Sequence, residues 1–190
     1  MRLTIHRSDG KSGKYFQDDA GRAAILSRRL DPATLFTTGP IVIGVLNPFT
    51  ILNADEVCWI EAETSVELPN ARPPGVESLR KLAGRDEYEN ILARQWPRWR
   101  QSAGAPKDLM EALVELAFKG GAALYLHVIG QVTREPLTDL IFSQPAVTAS
   151  FEPHGTVFIN PRNIVRARVY HSLQSVQYPA GLWCLEADDI

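Results

Sequence analysis

The chain has few of the residues that hold small or secreted proteins together. Its 190 residues include two cysteines, Cys58 and Cys184, each beside a tryptophan in an apolar run. The four histidines do not have the spacing that builds a zinc site. We therefore interpret both cysteines as small buried hydrophobic residues, and we expect neither a disulfide framework nor a metal cage.

The sequence also lacks the signals of secreted and membrane proteins. Its beginning is polar and basic, and no apolar run approaches the ~20 residues that span a bilayer. We expect no membrane insertion and a location in the cytosol of the cell that makes the protein. A net charge of −2 gives no overall attraction to nucleic acid, so any DNA contact must come from a local patch.

The stretch with the clearest secondary-structure pattern runs from residue 35 to residue 61. Gly39-Pro40 and Asn47-Pro48 bracket a run rich in β-branched residues, which predicts a strand covered on both faces in the middle of a sheet. After Asn53 the pattern changes to an alternation of Val57 and Trp59 with more polar residues. This alternation predicts a strand that begins to face water.

Elsewhere the spacing of apolar residues predicts helices between strands early in the chain and mainly strands towards its end. The predicted helices cover residues 20–30, 76–82, 85–101, 106–119 and 137–142. The predicted strands cover residues 2–6, 122–129, 147–151, 156–160, 165–170 and 182–185. We expect an α+β fold: one compact mixed-sheet domain over residues 1–190, with a helical insertion at 64–107 and a β-rich C-terminal part.

The clearest local charge is a basic segment between residues 80 and 107, in which positive side chains outnumber acids and no acid follows Glu89. Arg94 and Arg98 lie one helical turn apart with tryptophans nearby, and guanidinium groups beside aromatic rings suit phosphates and bases. The alternative is a solvated helix face whose tryptophans point to the core. The candidate nucleic-acid- and phosphate-binding residues are Arg85, Arg94, Arg98 and Arg100.

Arg134 and Glu135 are the candidate catalytic residues, in a loop that follows the predicted strand 122–129. Loops that leave a strand at a sheet edge often bind ligands. Arg134 could hold a phosphate, while Glu135 could hold a metal-bound water or a proton. The alternative is a surface ion pair. His127, on the strand itself, is better interpreted as a satisfied core or edge histidine than as a general base.

Four stretches of the chain carry a resemblance to a known family: Lys14–Asp18, Asn47–Asn53, Ala93–Trp99 and Asp108–Leu113. Together they resemble the plasmid fertility-inhibition proteins of the oncogenic-suppression type (Osa and FiwA). The resemblance implies a cytoplasmic bacterial protein that blocks export of DNA or DNA-associated substrates by another element's type IV secretion system. The implied partner is the coupling ATPase of that system or the transferred DNA complex.

The same resemblance implies a ParB/sulfiredoxin-like fold, whose members bind nucleotides or DNA and in some cases cleave them. Helix 20–30 followed by Pro40-Ile41-Val42-Ile43 is similar to the helix, link and strand that open that fold. ATP and Mg²⁺ are the implied cofactors, with ATPase and DNase activity. The family's Gly-Glu-Arg-Arg helix start has no close counterpart, since Gly84-Arg85 is the nearest match, so no catalytic residue is carried over.

Three functions stay open at this point. The first is an inhibitor that acts by binding the secretion machinery, and the second is an enzyme that hydrolyses nucleotides or DNA. The third is a structural subunit of a larger particle.

Overall fold

A computed structural model describes residues 1–44, 49–101, 109–131 and 141–172. These residues form a mixed α/β structure that is mostly sheet, with helices α1 (Ala20–Arg29) and α2 (Arg85–Gln101). The strands are β1 (Arg2–Arg7), β2 (Ser12–Phe16), β3 (Ile41–Ile43), β4 (Thr50–Leu52), β5 (Val57–Glu63), β6 (Val76–Lys81), β7 (Leu109–Phe118), β8 (Ala123–Gln131), β9 (Val147–Phe151), β10 (Gly155–Ile159) and β11 (Ile164–His171).

Most of the strands belong to one large mixed sheet. It has nine strands in the order β11-β7-β8-β6-β9-β10-β5-β1-β2, while β3 and β4 form a separate antiparallel pair. Neighbours in the large sheet run antiparallel except β6 and β9, which run parallel. The edges of the large sheet are therefore β11 and β2.

The large sheet is strongly curled. Trp59 of β5 and Phe118 of β7 are five strands apart in the sheet, which would separate them by ~24 Å if the sheet were flat. Their ring centroids are 5.0 Å apart. The β7–β8 turn also reaches the β1–β2 turn, because a Cβ atom at Gly120, which has φ 79°, would overlap the carbonyl oxygen of Ser8.

The curl gives the protein three groups of buried side chains. The inner core lies on the concave face and takes side chains from β5 to β11, among them Trp59 and Phe118. A second core lies on the other face of β1 and β5, under α1 and the β3–β4 pair. A third core packs Tyr88 and Trp99 of α2 against Leu113 of β7. Both helices therefore lie outside the curl.

The prediction that residues 41–46 form the middle of a sheet is wrong for residues 41–44, and residues 45 and 46 lie outside the described residues. β3 is three residues long and pairs with β4 alone among the described residues, and Val42 is 59% exposed. The strand covered on both faces is β5, between β10 and β1, where Val57 to Ile60 are all buried. The alternation of Val57 and Trp59 therefore does not mark a face in water, because the curl covers one side of β5 and α1 covers the other.

Two predicted helices are strands. Residues 76–82 contain β6, which lies between β8 and β9, so the segment 64–107 contributes a strand of the sheet as well as α2. Residues 109–118 form β7, in which Val114 faces the inner core and Leu113 faces α2. A strand buried on both faces loses the alternation of apolar and polar residues that identifies a strand in a sequence. The Leu, Ala and Glu residues of β7 also have high helix propensity, so the local sequence favoured a helix.

Other predictions are confirmed: both remaining helices within the described residues, and the strands now numbered β1 and β8 to β11. Cys58 is a buried free thiol, as expected, and burial raises its pKa to about 11. No helix in the described ranges is long and apolar enough to cross a membrane. Cys184, the predicted strand 182–185 and most of the predicted helix 137–142 lie outside the described residues.

A small polar cluster joins strands across the curl. Glu61 Oε1 accepts a hydrogen bond from Trp59 Nε1 at 3.1 Å and lies 3.1 Å from Lys81 Nζ of β6. The ring of His6 stacks on Trp59, and His6 Nε2 lies 3.3 Å from the same carboxylate oxygen without the alignment of a hydrogen bond. Burial raises the pKa of this carboxyl, but its contacts with His6, Trp59 and Lys81 outweigh burial and lower the pKa of Glu61 to about 2.

We predict that Glu61→Gln destabilises the protein at neutral pH by about 1–3 kcal/mol, because the largely buried Lys81 ammonium loses its counter-charge. The folded-state pKa of Glu61 lies below its ordinary value of 4.5. Its contribution to stability is therefore complete above that value and is lost as pH falls towards 2. Urea unfolding of parent and variant at about pH 7 and about pH 3 measures the effect, and the difference is expected to shrink by about half at the lower pH.

The matched control is Glu63→Gln, two residues along the same strand, where the side chain is exposed. This variant is expected to unfold like the parent at both pH values. A difference between parent and Glu61→Gln that stays the same at low pH would contradict the assignment of an ionised Glu61.

Candidate functional site

A cavity of about 1030 Å³ lies between α1, the β2 edge of the large sheet and the β3–β4 pair. We call it the α1 cleft. Its floor is apolar and includes Leu3, Ile5 and Ile60, which belong to the core under α1. The volume matches the range of ligand-binding sites in proteins.

α1 presents one continuous face to the cleft. The helix begins after Asp19, whose Oδ1 accepts a hydrogen bond from the backbone N–H of Arg22 at 2.7 Å. Arg22, Ile25, Leu26 and Arg29 follow the spacing i, i+3, i+4 and i+7, which places them on one side of a helix, and all four line the cleft. The buried residues of α1 are Ala23 and Ser27.

The charge around the cleft is mainly positive. Four cationic residues line it, and so does the acidic Asp31. The cations are Lys14, Arg22, Arg28 and Arg29. None of them forms an ion pair within the described ranges. Exposed cations without counter-charges attract anionic groups, so the cleft favours an acidic ligand.

Large apolar side chains are exposed beside these cations. Phe16 is 77% exposed, and Ile25 and Val42 are each 59% exposed. All three line the cleft, and Ile51, the strand partner of Val42, is also exposed. Grouped apolar side chains rimmed by charge mark interaction sites rather than ordinary surface. The cleft is therefore suited to bind a ligand that is both acidic and apolar.

The arginines predicted to bind phosphate all lie on α2, which packs on β8 and β11, far from β2 in the sheet order. Arg85 Nε lies 2.6 Å from Glu89 Oε1 in an exposed ion pair. Arg94, Arg98 and Arg100 are exposed, and Arg94 Nε donates to the carbonyl of Asn90 at 3.2 Å. Since each residue turns a helix by about 100°, Arg100 lies about 200° round α2 from Arg98. The structure thus brings Arg94 and Arg98 together but separates Arg100 from them.

The tryptophans of α2 divide between core and surface. Trp99 is buried beside Tyr88 and Leu113. Trp96 is 36% exposed and packs edge-on against Tyr170 of β11, with ring centroids 5.2 Å apart. Only Trp96 of this pair is placed where a base could stack on it.

Arg134 and Glu135, the predicted catalytic residues, lie outside the described residues. Within the described ranges, no three His, Cys, Asp or Glu side chains come together as a metal site. His127 is satisfied, since its Nε2 lies 2.8 Å from Glu111 Oε1 of β7. This pair was missed because residues 106–119 were predicted to be a helix, which gives Glu111 no strand neighbour.

The cleft residues were also missed from the sequence. No binding role is predicted for Lys14, Arg28 or Arg29 from the sequence. The signal that could have found the cleft was the apolar and basic face of α1, with Arg22 and Arg29 flanking Ile25 and Leu26. That pattern identifies an unusual helix face, but it does not show that β2 and β3 lie across the cleft from it.

We predict that Ala replacements of Arg94, Arg98 and Arg100 together weaken DNA binding and flatten its dependence on salt, because each lost phosphate contact removes released counterions. Arg94→Ala/Arg98→Ala is expected to account for most of the change, and Arg100→Ala for little, since Arg100 faces another direction. Binding titrations over a range of salt concentrations measure both effects. An unchanged salt slope in the triple variant rejects this role, and Arg162→Ala on a different surface serves as the control.

Comparisons with known proteins assign the chain to no family. No protein-family model, no curated protein and no solved structure matches it. The resemblance to fertility-inhibition proteins consequently rests on the residues of this chain, and the function drawn from it is a proposal.

Proposed function

We propose that the protein is a fertility-inhibition factor that blocks transfer of DNA or DNA-associated substrates by another element's type IV secretion system. In this proposal it acts by binding near the coupling ATPase, with the coupling protein or the transferred DNA complex as partner. The observation that carries the proposal is the α1 cleft, an apolar groove with exposed apolar side chains and with cations that form no ion pair among the described residues. Such a surface serves binding.

One stretch of the family resemblance coincides with the cleft. Residues 14–17 of the stretch Lys14–Asp18 all line it, from the end of β2. Two residues of the second stretch are exposed nearby: Ile51 lies on β4, and Phe49 directly precedes β4. The residues that carry the resemblance therefore include residues of the surface that we assign to partner binding.

The ParB/sulfiredoxin-like fold is part of the same proposal. It is supported by the order of elements, since α1 precedes the strand that begins after Pro40, with a short link between them. Near the end of the link Gly39, which has φ 122°, lets the chain turn into β3.

We predict that reversing the charge of the cleft abolishes inhibition of transfer. Arg22→Glu/Arg29→Glu changes two exposed residues on the cleft face of α1, so an acidic partner would meet repulsion in place of attraction. The measurement is the frequency of conjugative transfer from donor cells that express each variant. Transfer is expected to rise to the level of cells that lack the protein.

The matched control is Arg162→Glu/Arg166→Glu, another exposed double reversal that lies away from the cleft. It is expected to inhibit transfer as the parent does. Thermal unfolding of both variants establishes that they are folded. Full inhibition by a folded Arg22→Glu/Arg29→Glu protein would refute the cleft as the inhibitory surface.

The exposed pair Arg94 and Arg98 favours a second function, hydrolysis of nucleotides or DNA with ATP and Mg²⁺ as cofactors. Glu135 is the residue proposed to carry that chemistry, because carboxylates are the protein ligands that Mg²⁺ prefers. We predict that Glu135→Gln lowers any hydrolysis at least ~10-fold while the melting temperature stays near that of the parent. If hydrolysis is unchanged, the enzyme hypothesis loses its best residue. If hydrolysis falls but transfer is still blocked, inhibition proceeds by binding.

A further inference from the structure

Two strands present free edges beside the α1 cleft. β2 is the last strand of the large sheet and pairs with β1, and β3 pairs with β4. Neither strand has a second neighbour in the part of the chain that the structure describes. A free strand edge carries N–H and C=O groups that can pair with another strand.

The cavity runs along these edges rather than over a face of either strand. Side chains of a strand alternate between its two faces, so a cavity over one face touches every second residue. The α1 cleft instead touches every residue from 14 to 17, along β2 and just past its end, and every residue from 39 to 44, across β3. Consecutive contacts of this kind place the edges of both strands on the cleft.

The hydrogen-bond pattern of β2 shows which of its backbone groups point away from β1. Met1 and Gln17 exchange two bonds, since the amino group of Met1 donates to the Gln17 carbonyl at 2.9 Å and the Gln17 N–H donates to the Met1 carbonyl at 2.9 Å. Bonded and non-bonded pairs alternate in an antiparallel ladder, so Tyr15 pairs inward with Leu3. The backbone groups of Lys14 and Phe16 therefore point outward at the free edge.

We propose that the α1 cleft binds an extended acidic segment of a partner protein as an added β-strand along β2, with β3 on its other side. The backbone groups of Lys14 and Phe16 bond to the segment, as in strand addition elsewhere. Arg22 and Arg29 pair with its acidic side chains, while the exposed Ile25 and Val42 contact the apolar ones. This inference rests on the proposed function and names the way in which the partner is held.

The charge of β2 supports an acidic occupant. Natural edge strands often carry lysine, which prevents pairing between identical strands by repulsion. Lys14 has that position on β2, and it would repel a second copy of this strand while attracting a segment rich in Glu or Asp. The unpaired cations of α1 act in the same direction.

The test uses the full chain and a fluorescein-labelled peptide of about eight residues that alternates glutamate with valine. We expect the peptide to bind, as measured by fluorescence anisotropy, and its lysine-for-glutamate analogue not to bind. Arg22→Glu/Arg29→Glu is expected to weaken binding at least ~10-fold, because like charges placed opposite each other are strongly unfavourable. Arg162→Glu/Arg166→Glu is expected to bind as the parent does.

Backbone pairing is tested separately from charge attraction. An analogue methylated on alternate backbone nitrogens keeps every side chain but loses the donors of one edge, so one of the two methylation registers is expected to bind at least ~10-fold more weakly. Bound peptide is also expected to slow amide hydrogen exchange at Lys14 and Phe16. Binding of both methylated forms with unchanged exchange would overturn strand addition.

Other occupants are separate outcomes of the same experiment. Tighter binding by a peptide that copies residues 182–190, which include Glu186, Asp188 and Asp189, would overturn the partner assignment in favour of this chain's own tail. A concentration-dependent dimer that Arg22→Glu/Arg29→Glu abolishes would overturn it in favour of a second copy. Peptide binding by a protein whose cleft variants still block transfer would refute the proposed function and leave strand addition standing.

Discussion

The curl of the large sheet is the constraint on which the rest of this structure depends. It brings Trp59 and Phe118 into contact, although their strands are five positions apart in the sheet. Buried side-chain amides stabilise the same region of the sheet. Asn160 Nδ2 and Asn163 Nδ2 each donate to the carbonyl of Val57 at 2.9 Å, where the pairing of β1 with β5 is interrupted. A buried carbonyl outside a ladder is costly unless it is satisfied, so these bonds stabilise the curl.

The curl also decides which surfaces remain for function. The inner core takes side chains from β5 to β11 and fills the concave face, so the helices can pack only on the outside. α2 covers β7 and β8, and α1 covers β1 and β5. The β2 edge lies beyond this packed region, next to α1 and β3. The cleft therefore forms where the sheet ends. Three of its cations lie on α1, which is held in place by its packing on β1 and β5.

The candidate surfaces differ in what they offer a partner. The α1 cleft combines backbone edges, apolar side chains and cations in one place. The α2 surface offers Arg94 and Arg98 with the partly exposed Trp96, while Arg85 is engaged by Glu89. A surface that combines several modes of contact discriminates better between partners than charge alone, which is why we place the inhibitory contact at the cleft.

The sequence by itself determined α1 and α2, because each carries its apolar stripe and its end signals locally, such as Asp19 before α1. It also determined strands such as β8, where alternation survives. Only the tertiary structure decided β6 and β7. β7 is covered by the inner core on one face and by α2 on the other, so its sequence shows no period of two, while β6 is placed by its pairing with β8 and β9. The cleft was decided in the same way. Arg22 and Arg29 are spaced by a helix, but their meeting with Lys14 and β3 depends on the end of a curled sheet, a long-range arrangement that no local pattern encodes.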